Sequence, residues 1–150
     1  MTFRLLPEWA PQCGVMLTWP APHTDWLDIL DAAESSYVEI ACAIALRETC
    51  VITCIDAAHQ NRIRARLRLR GANEVNLRFV HAPYDDTWVR DYGPITVSDG
   101  RSLQLRDFSF NGWGQKFSAH NDDALTRKLT ADGLFRVPTS TIDMFLEGGS

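Results

Sequence analysis

The chain has 150 residues, 45% apolar and 23% charged, the balance of an ordinary soluble globular protein with enough length to bury a core of its own. Its net charge of −4 gives a nucleic-acid partner no support. No apolar run approaches the ~20 residues needed to cross a bilayer, so no membrane partner is expected either.

The N-terminal Met-Thr-Phe-Arg-Leu-Leu-Pro lacks the apolar core and small-residue cleavage site of a secretory signal. Cysteines stand at Cys13, Cys42, Cys50 and Cys54, all within apolar stretches. Cys50 and Cys54 resemble half of a zinc site, but no second pair follows at the required spacing. Buried free thiols are the simpler reading, and with the absent leader they point to a reducing, cytoplasmic setting.

In chain order, Cys13 to Trp19 reads as a buried strand ended by Pro20, Ala21 and Pro22. Thr24 is placed to cap a helix whose apolar positions Trp26, Leu30, Ala33, Tyr37, Ile40, Ala41 and Ile44 form one core-facing stripe. Cys50 to Ile55 is a second buried strand. A helix over Ala57 to Arg70 stops at Gly71; its five arginines, Arg62 to Arg70 at alternate positions, read as a solvated surface rather than a phosphate stripe. A strand near Val75 to Val80 leads into a loop, His81 to Pro94. Ile95–Val97 and Leu103–Phe110 pattern as a hairpin around Ser98-Asp-Gly-Arg. Asn121 or Asp122 opens a third helix, Gly133 closes it, and Met144 to Leu146 begins another strand. With no low-complexity linker, residues 1–150 read as one domain without an internal boundary.

Three segments carry possible chemistry. Tyr84 to Pro94 holds Asp85, Asp86 and Asp91, with Trp88 and Arg90 between them. Clustered carboxylates repel unless a cation or hydrogen-bond partner compensates. Arg90 can compensate one internally, and an external planar guanidinium suits the others because it offers two parallel N–H donors. Trp88 adds a flat apolar or cation–π wall. A tight turn with Asp capping groups fits the same composition. In Phe110-Asn-Gly-Trp-Gly114, the glycines allow a sharp turn around Asn111 and Trp113. In Phe145-Leu-Glu-Gly-Gly149, an acid leaves an apolar strand on two glycines, a way to present one carboxylate in a cleft. A metal held by His81, Asp85 and Asp86 is conceivable, but the spacing matches no metal motif and an ordinary loop histidine is simpler.

Taken together and in this order, these segments resemble the agmatine deiminase and bacterial peptidylarginine deiminase-like family. The likeness begins at Pro7-Glu-Trp9 and Trp19-Pro20 and continues through Asp86-Thr-Trp-Val-Arg-Asp-Tyr-Gly-Pro94. Phe110-Asn-Gly-Trp-Gly114 and Leu146-Glu-Gly-Gly149 extend it over nearly the whole chain. The resemblance implies the α/β pentein propeller of five ββα-type units, of which this chain covers about the first two. It implies hydrolysis of the guanidine of agmatine to N-carbamoylputrescine and ammonia, a step toward putrescine, with neither metal nor organic cofactor. A cysteine thiolate attacks the guanidinium carbon, and a histidine serves as acid and then base. Carried across, Asp91 binds the guanidinium nitrogens, Glu147 helps hold substrate and the catalytic histidine, and Trp88 lines the substrate site.

The departures are as informative. The family's Gly-His-x-Asp segment and its nucleophilic cysteine should follow Glu147 and have no counterpart here, and none of the four cysteines takes the nucleophile's place. The chain therefore reads as the N-terminal portion of such an enzyme, inactive alone. Free arginine or peptidylarginine is an alternative substrate, and a non-catalytic guanidinium-binding or assembly fragment an alternative class. A homo-oligomer is compatible with the sequence.

Overall fold

The structure, a computed structural model, describes residues 2–149; Met1 and Ser150 lie outside the described residues. The chain packs as two compact units, one of Gln12–Thr87 and one built from the residues up to Pro11 and from Trp88 onward.

The Gln12–Thr87 unit runs β2 (Gly14–Thr18), α1 (Leu30–Ala45), β3 (Thr49–Cys54), α2 (Ala57–Leu69) and β4 (Leu77–His81), the preceding strand β1 (Arg4–Leu5) belonging to the other unit. Its sheet is parallel in the order β2-β3-β4, with Val15 opposite Cys50 and Cys50 opposite Leu77. Parallel neighbours need crossover connections, and α1 and α2 supply them. Every second residue of β3 (Cys50, Ile52, Cys54) meets Val38 and Ala41 of α1 and Ile63 and Leu67 of α2, with Trp19 completing the core. The Asp56 side chain accepts from His59 N at 2.8 Å and caps α2, and Gly71 ends it at φ +80° with Ala72 N donating to Leu67 O.

Two expectations for α1 are corrected. Thr24 does not cap it: its hydroxyl donates to Ala21 O at 2.8 Å, and a 3₁₀ turn at Leu27–Ile29 intervenes, so the α-helix opens only at Leu30. The buried stripe is rotated as well, with Ile40 45% exposed and Glu34 only 4% exposed. The cause is a polar network: Trp19 Nε1 donates to Glu34 at 3.0 Å, and Arg66 and Arg62 approach the same carboxylate at 3.2 and 3.4 Å. A partnered carboxylate can be buried where an unpaired one cannot. The arginine run does form a surface of pairs: Arg66 also meets Asp31, Arg68 meets Glu74, Arg70 meets Glu39, and Arg64 lies over Phe79. Of the cysteines, Cys50 and Cys54 are buried, and burial pushes each thiol up to about 12. Cys42 is half-buried and Cys13 exposed, so the reading of four buried thiols fails at Cys13, which lies one residue before β2.

The second unit holds β1 (Arg4–Leu5), a one-turn helix α3 (Val89–Tyr92), β5 (Ile95–Ser98), β6 (Leu103–Ser109), α4 (His120–Ala131) and β7 (Thr139–Phe145). Its sheet order is β1-β5-β6-β7. The β5–β6 hairpin is antiparallel, whereas β6 and β7 are parallel across α4. Leu105, Phe110, Tyr92, Leu125, Leu129 and Leu134 are among its buried apolar residues. Two strands begin elsewhere than their apolar runs suggest. A 3₁₀ turn at Glu74–Asn76 delays β4 to Leu77, and β7 already starts at Thr139, pairing with Leu105. Backbone pairing to a neighbour, rather than side-chain apolarity, sets those boundaries.

Candidate functional site

The Tyr84–Pro94 motif is divided between the units after Thr87. In the Gln12–Thr87 unit its first residues are used structurally. Tyr84 is buried and donates its hydroxyl to Trp19 O at 2.7 Å, and burial raises its phenol. Asp86 Oδ1 accepts from the adjacent Thr87 N at 2.7 Å. The like charge of Asp86 beside Asp25, together with burial and a hydrogen bond between the two carboxyls, holds Asp25 above its ordinary range. His81 Nε2 contacts Gln60 Oε1 at 2.7 Å. Among the described residues, no three or more His, Cys, Asp or Glu are placed to hold a metal ion.

In the other unit, the second half of the motif closes into α3, with Asp91 N donating to Trp88 O and Gly93 N to Val89 O, both at 2.8 Å. Arg90 pairs with Glu8 at 2.8 Å, both side chains exposed.

Asp91 and Glu147, 56 positions apart in sequence, are brought into one neighbourhood by the sheet. Strand β7 ends at Phe145 opposite Ser109, and Leu146 N still donates to Ser109 O at 3.2 Å. The chain then turns on its glycines and lies directly on α3. Gly148 N donates to Asp91 O at 3.0 Å and Gly149 N to Asp91 Oδ1 at 3.2 Å. A Cβ on Gly148 would lie 2.5 Å from Arg90 O, and one on Gly149 would lie 2.4 Å from Asp91 Oδ1. Only glycines permit that approach. The contact occupies one oxygen of the Asp91 carboxylate with a neutral N–H and holds the side chain in place.

Where the parallel strands β6 and β7 finish side by side, an open cleft of about 390 Å³ is lined by Ser109, Phe110, Asn111, Gly114, Leu146 and Glu147. The carboxyl ends of parallel strands are a common place for ligands, because the loops leaving them diverge. Glu147 is thus in the cleft, while Asp91 is seated against the segment that follows Glu147.

The Phe110–Gly114 motif is the part that sequence reasoning left without a role. After Phe110 the chain makes one turn of left-handed helix: Gly112, Trp113, Gly114 and Gln115 have φ of +64°, +56°, +79° and +67°. Gln115 N donates to Asn111 O at 2.8 Å, Lys116 N to Gly112 O at 3.0 Å, and Asn111 Oδ1 accepts from Gly114 N at 2.8 Å. For residues with a Cβ this conformation costs about 1–2 kcal/mol each. It carries the Trp113 indole into edge-on contact with Phe110, Phe117 and Trp88, at centroid distances of 5.1, 5.7 and 6.3 Å. Trp88 itself remains 42% exposed. The glycines bracketing Trp113 are the sequence signal for this turn. Its left hand is not readable from them.

Residues 4–150 match the model of the Porphyromonas-type peptidyl-arginine deiminase family. The agmatine deiminase of Ectopseudomonas mendocina is 35% identical over 155 residues, covering 99% of this chain and 40% of the relative. That of Pseudomonas aeruginosa (strain LESB58) is 34% identical over 154 residues, with coverage of 99% and 40%. Among solved structures, a substrate-bound cysteine-to-serine variant of the C. jejuni agmatine deiminase matches with a TM-score of 0.87 at 28% identity, covering 99% of this chain and 42% of that one. A Porphyromonas gingivalis structure described as a candidate arginine deiminase matches at 0.84 with 41% identity, covering 99% and 43%. The α/β fold described above is that of these deiminase structures. The chain spans about two fifths of the length of the curated relatives it matches.

Proposed function

This chain belongs to the Porphyromonas-type peptidyl-arginine deiminase family, and from that premise we propose that it supplies the guanidinium-holding part of an enzyme that hydrolyses agmatine to N-carbamoylputrescine and ammonia. The observation that carries the reading is the seating of the Glu147-Gly-Gly turn on Asp91, through Gly148 N to Asp91 O and Gly149 N to Asp91 Oδ1.

In this reading the Asp91 carboxylate accepts from the guanidinium nitrogens and Glu147 accepts from the other side of the bound group. Trp88 offers its face to the cation. Two fixed carboxylates hold the guanidinium so that its carbon stays exposed to a nucleophile. A thiolate adds to that carbon and expels ammonia. Water then displaces the thiol and leaves the urea, with a histidine passing the protons. In this reading the thiolate is not supplied by Cys50 or Cys54, which are buried. Cys50 and Cys54, with thiols pushed up to about 12, are protonated at neutral pH and packed in the core. The fold reading is a pentein α/β-propeller of five ββα-type units in one catalytic domain, of which these residues provide about two.

A second substrate reading, free or peptidyl arginine, is favoured by the 41% identity to the Porphyromonas gingivalis neighbour. Ammonia release from agmatine, arginine and a peptidylarginine, compared as kcat/KM in the protein expressed from its own gene, decides between them. Asp91→Ala is expected to lower kcat/KM by at least ~100-fold, because it strips one charge-assisted partner from a desolvated cation. Near-normal efficiency in that variant would remove Asp91 from the site.

A further inference from the structure

One peptide group at the end of β6 is held from both sides. Its carbonyl, Ser109 O, accepts at 3.2 Å from the N–H of Leu146, the residue before Glu147. Its amide, Phe110 N, donates at 2.7 Å to Asp123 Oδ1, a side chain of α4 lying 13 residues further on. The C=O and N–H of a trans peptide point in opposite directions, so a carbonyl facing β7 aims the amide toward the β5 side. Strand β5 does not reach that far, since its first residue, Ile95, lies opposite Arg106. On the β7 side the register shifts between Phe108 and Ser109. The Asp123 carboxylate thus holds the peptide where strand pairing is ending.

Asp123 is itself held. Its other oxygen pairs with Arg127, one turn further along α4, and Arg127 Nη1 reaches Asp107 Oδ2 at 3.2 Å. Asp107 stands on β6 with its side chain only 1% exposed. Strand β6 is therefore tied to α4 twice, through Asp107 and Arg127 and through Phe110 and Asp123.

We propose that Asp123 is a positioning residue for Glu147: by gripping the N–H of the Ser109–Phe110 peptide it fixes the carbonyl that holds Leu146, and with it the direction in which the Glu147 carboxylate enters the cleft. The inference rests on the reading that Glu147 holds the guanidinium. A peptide group is planar, so a partner that fixes its N–H fixes its C=O as well. A carboxylate acceptor also polarises the peptide and strengthens its carbonyl as an acceptor. Ser109, Phe110, Leu146 and Glu147 line one cleft, so a tilt of this plane moves two of its walls together.

The test is a double-mutant cycle on kcat/KM for the preferred guanidine substrate, in the protein expressed from its own gene. Asp123→Ala is expected to lower kcat/KM about tenfold. Asp123→Asn keeps an oxygen for Phe110 N and should stay within about threefold of wild type. An Asn variant as damaged as the Ala variant would assign the effect to charge and overturn the proposal. Glu147→Ala should cost about a hundredfold or more, and adding Asp123→Ala less than about twofold further, because an absent carboxylate needs no orienting. A further loss of about tenfold in that background shows that Asp123 acts elsewhere, and the proposal is wrong. Where Glu147→Ala turns over too slowly to measure, the comparison in that background is made on the substrate Kd. A Kd unchanged within about twofold supports the proposal, and one weakened about tenfold overturns it. Should Asp123→Ala fail to fold, Asp123→Glu replaces it, displacing the oxygen by one methylene while keeping the charge beside Arg127. Its loss must likewise vanish without Glu147, and persistence overturns the proposal. Near-normal efficiency in Glu147→Ala would remove the site reading and this inference with it. A large loss in Glu147→Ala beside an unimpaired Asp123→Ala overturns this inference alone.

Discussion

Trp113 at φ +56° and Gln115 at +67° occupy a region that L residues avoid, and they do so in one continuous turn. Gln115 is exposed and can be changed without disturbing the rings. Gln115→Gly should therefore stabilise the protein by about 1 kcal/mol, read as a rise in urea midpoint at unchanged slope. Gly112→Ala should do the reverse and cost more than ~2 kcal/mol, because its Cβ would meet the Phe117 carbonyl at 2.3 Å. At Gly148 the obstacle is again a backbone oxygen, that of Arg90 at 2.5 Å, immediately before Asp91. Gly148→Ala is expected to displace Asp91 and reduce kcat/KM by about tenfold or more, with stability changed far less. Equal losses of stability and activity would show that the glycine serves only the fold.

Helix α1 shows how an element can be right in kind and wrong in face. Spacing of apolar residues places Ile40 inward, but the bonds that Trp19, Arg62 and Arg66 make to Glu34 turn a carboxylate into the core instead. Trp19→Phe would leave that carboxylate short of one donor and should cost about 1–3 kcal/mol by chemical denaturation. Helix α2 carries a pH signature. His59 is buried, its Nδ1 accepts from Ile55 N at 3.3 Å, and burial followed by the Arg62 charge lowers its pKa below 6.5. The unfolded chain then binds more protons than the folded one as pH drops below about 6.5, so stability present above that value is lost on going down through the folded pKa. The melting temperature should fall across this window, and His59→Gln should flatten that part of the profile. An unchanged slope in the variant would assign the pH dependence to another group.

At the scale of the whole chain, the elements themselves were legible: β2, β3, α2, the β5–β6 hairpin and α4 lie within a residue or two of where periodicity and punctuation place them. Sequence alone determined which residue types are present and in what local pattern, because helix stops, hairpin turns and buried strands follow from interactions within a few residues. It also carried the family likeness, because the Trp-Val-Arg-Asp-Tyr-Gly-Pro and Glu-Gly-Gly segments are read letter by letter. Only the tertiary structure decided which face of α1 is buried and that Arg90 serves Glu8. It also decided that Gly148 and Gly149 rest on Asp91, and that the turn at Trp113 is left-handed and meets Trp88. Each of those depends on a partner at least 15 residues away, or on a backbone strain that distant packing sustains, and no local rule encodes either.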